Sequence, residues 1–167
     1  MKIRVKDLSF MALYLALFVV LDYVAHILPK MPQGGSLGLG VLALLLASYH
    51  LGWKKGAIVA LGSVVLQFIM GQMYVVHPIQ FLLDYGIAFG VYGIASLMPI
   101  WVGITLTNVV RYLCSVISGI VFFGEYADGN VVVYSLSYNA WYMVPTLIIC
   151  LVFVPILCKA LLPKLQD

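Results

Sequence analysis

The chain has 167 residues, of which 64% are hydrophobic and 9% charged, and its mean hydropathy is +1.10. Soluble domains are nearer to half apolar and a quarter charged, so this composition excludes an ordinary soluble domain and predicts a polytopic helical membrane protein. The formal charge of +3 comes from cations that lie mostly in the loops. Binding of nucleic acid is therefore not expected.

Apolar runs separated by loops rich in glycine, proline and charge predict six transmembrane helices in a single domain covering residues 1–167. The first run is long enough to span and lacks an A-x-A cleavage site, so we expect it to be retained. The second is short and contains two glycines, which favours a tilted, irregular or partly re-entrant segment. The predicted helices are approximately residues 8–28, 37–51, 57–70, 79–98, 103–123 and 138–161.

The first predicted helix carries small and polar residues at helical spacing. Ala12 and Ala16 form a small-xxx-small pair, on which another helix can pack closely. Near the far end, Asp22 and His26 are i, i+4 neighbours, and we interpret them as an interfacial polar pair rather than a site.

An acidic residue lies inside the fourth apolar run. A carboxylate at bilayer depth is costly unless it has a partner or water, so such residues are usually functional. His77, Gln80 and Asp84 are spaced i, i+3 and i+7, which places them on one helix face, and Tyr74 and Tyr85 flank it. This pattern predicts a polar pocket. The alternative is that Asp84 only holds neighbouring helices together.

The last two predicted helices add polar and aromatic side chains. Ring faces attract cations and stack on flat rings, and a carboxylate accepts hydrogen bonds from amino groups, so a small flat heteroaromatic ligand, neutral or cationic, is predicted. Alternatively, each tyrosine belongs to the aromatic belt of the membrane interface. The candidate lining from these helices is Arg111, Ser115, Ser118, Phe123, Tyr134, Tyr138, Asn139 and Tyr142, with Trp141 expected beside it.

The distribution of basic residues predicts the orientation. With six spans, the amino terminus, the Lys54 and Lys55 turn and the carboxyl terminus share one side, which holds seven of the nine basic residues. By the positive-inside rule, both termini are expected to be cytoplasmic. Asp84 then lies roughly 7–8 Å below the outer surface at 1.5 Å per residue, in a pocket that opens outward.

Signs of catalysis are missing from the sequence. It contains no metal-ligand spacing, no nucleophile and base pair and no glycine-rich phosphate loop. We therefore expect no enzymatic activity, no ATP hydrolysis by the chain itself, no cofactor and no metal.

Four segments resemble one known family: MPQGGS at 31–36, HPIQFLLDY at 77–85, RY…VISGIVFFGEYA at 111–127 and YSLSYNAWYMVP at 134–145. In order and over nearly the whole chain, they are similar to the thiamine-binding S-component of energy-coupling factor (ECF) transporters, also described as proton-coupled thiamine transporters. The resemblance implies an all-α bundle of six transmembrane helices in the cell membrane. It also implies capture of thiamine and docking, through the Ala12 and Ala16 surface, on a membrane coupling subunit (T-component) with two cytoplasmic ATPases.

The resemblance also implies roles for single residues. Asp84 takes the place of the carboxylate that binds the aminopyrimidine ring, Phe123 that of a stacking aromatic residue, and Arg111 that of a basic residue one turn from the pocket. Tyr74, Tyr85, Tyr134 and Asn139 match positions in or beside the pocket.

In two places the chain departs from the family pattern. Ser115 stands where relatives often have histidine, and Phe123 and Asp84 stand where some have tryptophan and glutamate. Loss of an imidazole contact predicts weaker binding or a shifted preference. The alternatives are therefore uptake of a thiamine precursor, an analogue or another vitamin, and a structural membrane subunit that transports nothing.

Overall fold

The computed structural model describes residues 3–27 and 31–166, and these ranges fold into a bundle of helices joined by short loops. Within them, α1, α4, α5 and α6 are long and apolar enough to cross a membrane, and α2 is a shorter apolar helix. The helices are α1 Val5–Ile27, α2 Val41–Leu51, α3 Trp53–Ile69, α4 Pro78–Leu97, α5 Ile100–Phe122 and α6 Val131–Gln166.

The structure places several helix ends differently from the hydropathy. α2 begins at Val41 rather than residue 37, because residues 37–40 form a turn with two glycines. α3 begins at Trp53 rather than 57, directly after Gly52, whose φ is +80°. α5 begins at Ile100 rather than 103, directly after the proline that ends the preceding loop. The predicted end of the first helix at residue 28 lies outside the described residues.

The last helix is longer than the predicted range of 138–161. It runs over Val131–Gln166 and contains three prolines without ending at any of them. Prolines are tolerated in membrane helices because neighbouring groups can satisfy the freed carbonyls. Tyr134, Tyr138 and Tyr142 are spaced four apart, which is helical spacing, so residues 131–137 belong to the helix.

The short helix α2 forms the centre of the bundle. Every residue from Val41 to Ser48 is buried, and the helix contacts α1, α3, α6 and the second half of α4. A helix that is hydrophobic all round is one that other helices enclose. α2 therefore faces protein rather than lipid, which explains why it can be short and begin in an irregular turn.

Close packing of the helices depends on small residues. A Cβ added at Gly93 would lie 2.3 Å from Cα of Ala57, and one at Gly56 would lie 2.7 Å from Cα of Ser48. Membrane helices associate mainly by such close contact, since lipid provides no hydrophobic drive between them. These contacts fix α2, α3 and α4 against one another.

One end of the bundle is held by charged residues. Asp7 accepts a hydrogen bond from the backbone N–H of Arg4 at 2.9 Å, and its Oδ1 lies 2.9 Å from Nζ of Lys55. These contacts join the start of α1 to the start of α3. From there the 17 residues of α3 reach about 25 Å at 1.5 Å per residue, to the loop that precedes α4, where the cavity lies.

Candidate ligand-binding site

A cavity opens at the end of the bundle remote from Lys55. Its walls come from α1, the loop 31–36, the turn before α2, and α4, α5 and α6, and they enclose about 1080 Å³ of empty space including the open mouth. The residues predicted to bind ligand that line it are Tyr74, Gln80, Asp84, Tyr85, Arg111, Ser115, Phe123, Tyr134, Tyr138 and Asn139.

Asp84 lies in a stretch of α4 with wider turns than an α-helix. Residues Leu82–Ile87 form a π-helical segment, a feature that often marks functional sites. The Oδ2 atom of Asp84 accepts hydrogen bonds from the hydroxyl of Ser118 at 2.6 Å and from Nε2 of Gln80 at 2.7 Å. The carboxylate is thus held in one orientation by α5 and by its own helix.

Gln80 connects Asp84 to the loop before α4. Its side chain is 2% exposed. Besides Asp84, its Nε2 donates to the carbonyl of Tyr74 at 3.1 Å, and its Oε1 accepts from the backbone N–H of Val76 at 3.2 Å. Gln80 therefore positions both the acid and the loop that carries Tyr74.

Arg111 is a buried cation in the cavity wall. Its guanidinium carbon lies 4.6 Å from the ring centre of Phe89, and the residue is 8% exposed. Among the described residues, neither Nε nor Nη1 has a hydrogen-bond partner. Buried donors are normally satisfied, and both atoms are also closed off from solvent, so the guanidinium is a cation held in the cavity wall with donors to spare.

The α6 wall presents a fixed amide. Nδ2 of Asn139 donates to the carbonyl of Ser135 at 2.9 Å, and its Oδ1 accepts from the hydroxyl of Tyr142 at 2.5 Å. Ser115, on α5, is buried next to it and also lines the cavity. This wall offers hydrogen-bonding groups whose orientation is already set.

Aromatic rings surround the mouth. The rings of Tyr74 and Phe123 have centres 6.0 Å apart, and those of Tyr134 and Tyr138 are 5.9 Å apart. The hydroxyl of Tyr85 accepts from the backbone N–H of Tyr74 at 2.9 Å, so this ring is held from α4. Such faces can stack on a flat ligand or attract a cationic one.

The loop 31–36 covers part of the cavity. The hydroxyl of Tyr138 donates to the carbonyl of Pro32 and accepts from the backbone N–H of Gly35 at 3.1 Å. A Cβ at Gly35 would lie 2.7 Å from the ring of Tyr142, so only glycine allows this approach. The sequence marked the loop as a turn but did not predict that it lines the cavity.

Three predicted residues do not line the cavity: His77, Trp141 and Ser118, the last of which is buried and acts on the cavity only through its hydrogen bond to Asp84. His77 has an extended backbone, accepts a hydrogen bond from the N–H of Ile79, and stacks on Phe122 with ring centres 5.1 Å apart, outside the cavity. It precedes the helix, so the spacing argument that put it on the face of Asp84 does not apply. Trp141 is 72% exposed and does not line the cavity.

The first helix contributes three residues, two of which, Asp22 and His26, the sequence analysis interpreted as an interfacial polar pair. Phe18, Asp22 and His26 all line the cavity. His26 and Asp22 do pair, with Nδ1 of the imidazole 2.7 Å from the backbone carbonyl and 3.5 Å from the carboxylate of Asp22. The signal was present, because an acid within an apolar span is the same pattern that singled out Asp84.

These features define an integral membrane protein that encloses a polar, aromatic site for a small solute. A family model described as "Thiamine transporter protein" matches residues 8–166. The thiamine transporter ThiT of Bacillus subtilis (strain 168) is 35% identical, and the match covers 83% of each protein. A solved structure of ThiT from Listeria monocytogenes superposes with a TM-score of 0.81 at 22% identity, over 95% of this chain and 96% of that one.

The chain therefore belongs to the thiamine transporter family. It is a multi-pass protein of the cell membrane, and its family consists of transporters rather than enzymes. The predictions of an all-α membrane bundle and of this family are confirmed by the match in sequence and fold.

Proposed function

We propose that this chain captures thiamine in the cavity as the substrate-binding subunit of an ECF-type transporter. Capture is carried by the carboxylate of Asp84, which Ser118 and Gln80 hold towards the ring-lined cavity. A carboxylate fixed in this way accepts a hydrogen bond from the amino group of an aminopyrimidine, and charge-assisted bonds of this kind are the strong ones.

The other residues supply the remaining contacts. The guanidinium of Arg111 places positive charge in the cavity wall, and Asn139 and Ser115 suit polar atoms at the edge of the pyrimidine. Phe123 and Tyr74 stack near the mouth, where a thiazolium cation gains from ring faces. Tyr85, Tyr134 and Tyr138 complete the enclosure, and His77 has no part in it.

Titration calorimetry on the purified chain tests this proposal. We expect saturable binding of thiamine. Changing Asp84 to Asn or Ala should weaken binding by at least tenfold, about 1.4 kcal/mol. Asp128→Asn is the matched control, because Asp128 is an exposed acid in the loop after α5 and does not line the cavity. Retained affinity in the Asp84 variants would remove that residue from the site. Because Trp141 lies away from the cavity, calorimetry is a more direct reporter than tryptophan fluorescence.

Ser115 motivates a second candidate ligand. A serine is smaller than an imidazole, which leaves space beside Asn139 for a pyrimidine with a larger substituent. If a thiamine precursor or analogue binds at least tenfold more tightly than thiamine in the same titration, that compound is the cargo. If no vitamin in a panel binds, the chain is a structural subunit.

We further propose that both termini face the cytoplasm and that α1 docks on a membrane coupling subunit with two ATPases. Lys55 and the start of α1 lie together at the end remote from the cavity, as the positive-inside rule requires of a cytoplasmic end. Ala12 and Ala16 are exposed on one face of α1 and leave room for a partner helix.

A further inference from the structure

The face of α1 that enters the cavity carries a second buried carboxylate. Phe18, Asp22 and His26 are spaced by four residues and so lie on one side of the helix. Asp22 is 8% exposed, and nothing in the capture of an aminopyrimidine by Asp84 uses it. An ionisable group at this depth in a membrane protein needs either a structural or a ligand-binding explanation.

His26 and Gln67 define the surroundings of Asp22. Because a carbonyl can only accept, the short contact between Nδ1 of His26 and the carbonyl of Asp22 means that Nδ1 carries the proton. The imidazole is thereby fixed against the helix, 3.5 Å from the carboxylate. Gln67 of α3, also buried, lines the same part of the cavity, and its Nε2 donates to the carbonyl of Ser63 at 3.3 Å.

A row of aromatic rings joins the two acids. Phe18, one turn before Asp22, meets Phe89 edge to face with ring centres 6.1 Å apart. Phe89 in turn lies parallel to Tyr85, the neighbour of Asp84, at 6.3 Å and an angle of 8°. All three residues line the cavity, which therefore has one carboxylate on its α4 wall and another on its α1 wall.

We propose that Asp22 is a second ligand-binding carboxylate, which accepts the hydrogen bond of the ligand's free hydroxyl group and rejects its phosphate esters. This inference rests on the proposed function and assigns the far end of the same ligand. With the aminopyrimidine at Asp84, the hydroxyethyl end of thiamine is the part left to reach the α1 wall.

The chemistry of a carboxylate gives this selectivity. An ionised carboxylate only accepts hydrogen bonds, so it favours an alcohol and repels a phosphate, and in a cavity of low dielectric the repulsion is strong. The two carboxylates and the guanidinium of Arg111 that line the cavity sum to one net negative charge, which suits a monocation. Specificity of this kind needs such a repulsive element as well as an attractive one.

The test is calorimetry on the full chain in lipid nanodiscs, with thiamine, thiamine monophosphate and a thiamine analogue lacking the hydroxyl group. The wild type should bind thiamine at least tenfold more tightly than either of the others. Asp22→Asn, which keeps the size of the side chain, should reduce both preferences to about threefold or less. Asp128→Asn should leave them unchanged.

The ligand comparison on the wild type does not depend on whether the variant folds. Equal binding of thiamine and the hydroxyl-free analogue by the wild type would overturn the role of Asp22 and leave the proposed function intact. Undiminished preferences in a folded Asp22→Asn protein would do the same. Absence of thiamine binding by the wild type would overturn both proposals together.

Discussion

Gly38 and Arg111 depend on each other at the base of the cavity. A Cβ at position 38 would lie 2.7 Å from Nη1 of Arg111, so the guanidinium occupies space that only glycine leaves. The backbone N–H of Gly38 donates to the hydroxyl of Thr146 at 3.0 Å, which fixes the turn at this distance. The position of the cation over Phe89 is thus set by a residue with no side chain.

Gly38→Ala should therefore weaken thiamine binding by moving the guanidinium. A guanidinium moved from its place in the cavity wall interacts less favourably with the bound ligand, and a loss of about 1 kcal/mol is roughly fivefold in Kd, which calorimetry measures directly. Gly62→Ala is the control, since a Cβ there meets only the Leu15 side chain at 3.4 Å. Unchanged affinity in the Gly38 variant would show that Arg111 does not need this position.

At the scale of residues, the sequence identified the groups that are costly to bury. Asp84 and Arg111 stand out because each is charged within an apolar run, and both line the cavity. Asp22 obeys the same rule but was interpreted as interfacial, because its depth depends on how far α1 extends beside α4. The contacts of the loop 31–36 with Tyr138 join residues about a hundred positions apart, and no local pattern carries that information.

Among the helices, α4 departs most from regular geometry. It passes from an α-helical turn through the π-helical segment Leu82–Ile87 and a short α-helical stretch to a 3₁₀ segment, Val91–Leu97. The widened turns let Asp84 and Tyr85 line the cavity while Ala88 and Tyr92 stay in the core. Tyr92 is fully buried and donates to Oδ1 of Asn108 at 2.9 Å, so the second half of the helix cannot rotate freely.

Deletion of Ile87 should show whether the π-helical segment lets α4 place Asp84 in the cavity and Tyr92 in the core at the same time. One residue fewer turns the first half of α4 by about 100° relative to the second, since an α-helix has 3.6 residues per turn. Asp84 then leaves Ser118, or Tyr92 leaves the core. We expect thiamine binding at least tenfold weaker and a lower Tm, measured by calorimetry and thermal unfolding. Deletion of Asp128 from the exposed loop should change neither, and native affinity without Ile87 would contradict this role for the π-helical segment.

The sequence predicted the existence of these helices more accurately than the residues at which they begin. Long apolar runs identified α1, α4, α5 and α6, because lipid requires such lengths. The start of α6 was missed because Tyr134 and its neighbours resemble an interfacial loop in composition. The π-helical segment Leu82–Ile87 has no compositional signal in the sequence.

At the scale of the whole molecule, the ligand-binding cavity and the proposed docking surface lie in different places. The cavity lies at one end, among α4, α5 and α6. Ala12 and Ala16 lie on the outward side of α1, in the part of that helix before the cavity residues. A change on this surface can therefore affect transport without touching the ligand.

Replacing Ala12 and Ala16 together by Leu should impair transport but not capture. The larger side chains fill the space into which a partner helix would pack, and helices in lipid associate chiefly through such contacts. In cells that supply the coupling subunit and ATPases, we expect thiamine uptake to fall at least tenfold, with calorimetric Kd within about twofold of the wild type. Ala160→Leu, at an exposed position of α6, is the control and should leave uptake unchanged. Normal uptake by the double variant would place the docking surface elsewhere, whereas loss of binding as well would mean that the face of α1 supports the cavity itself.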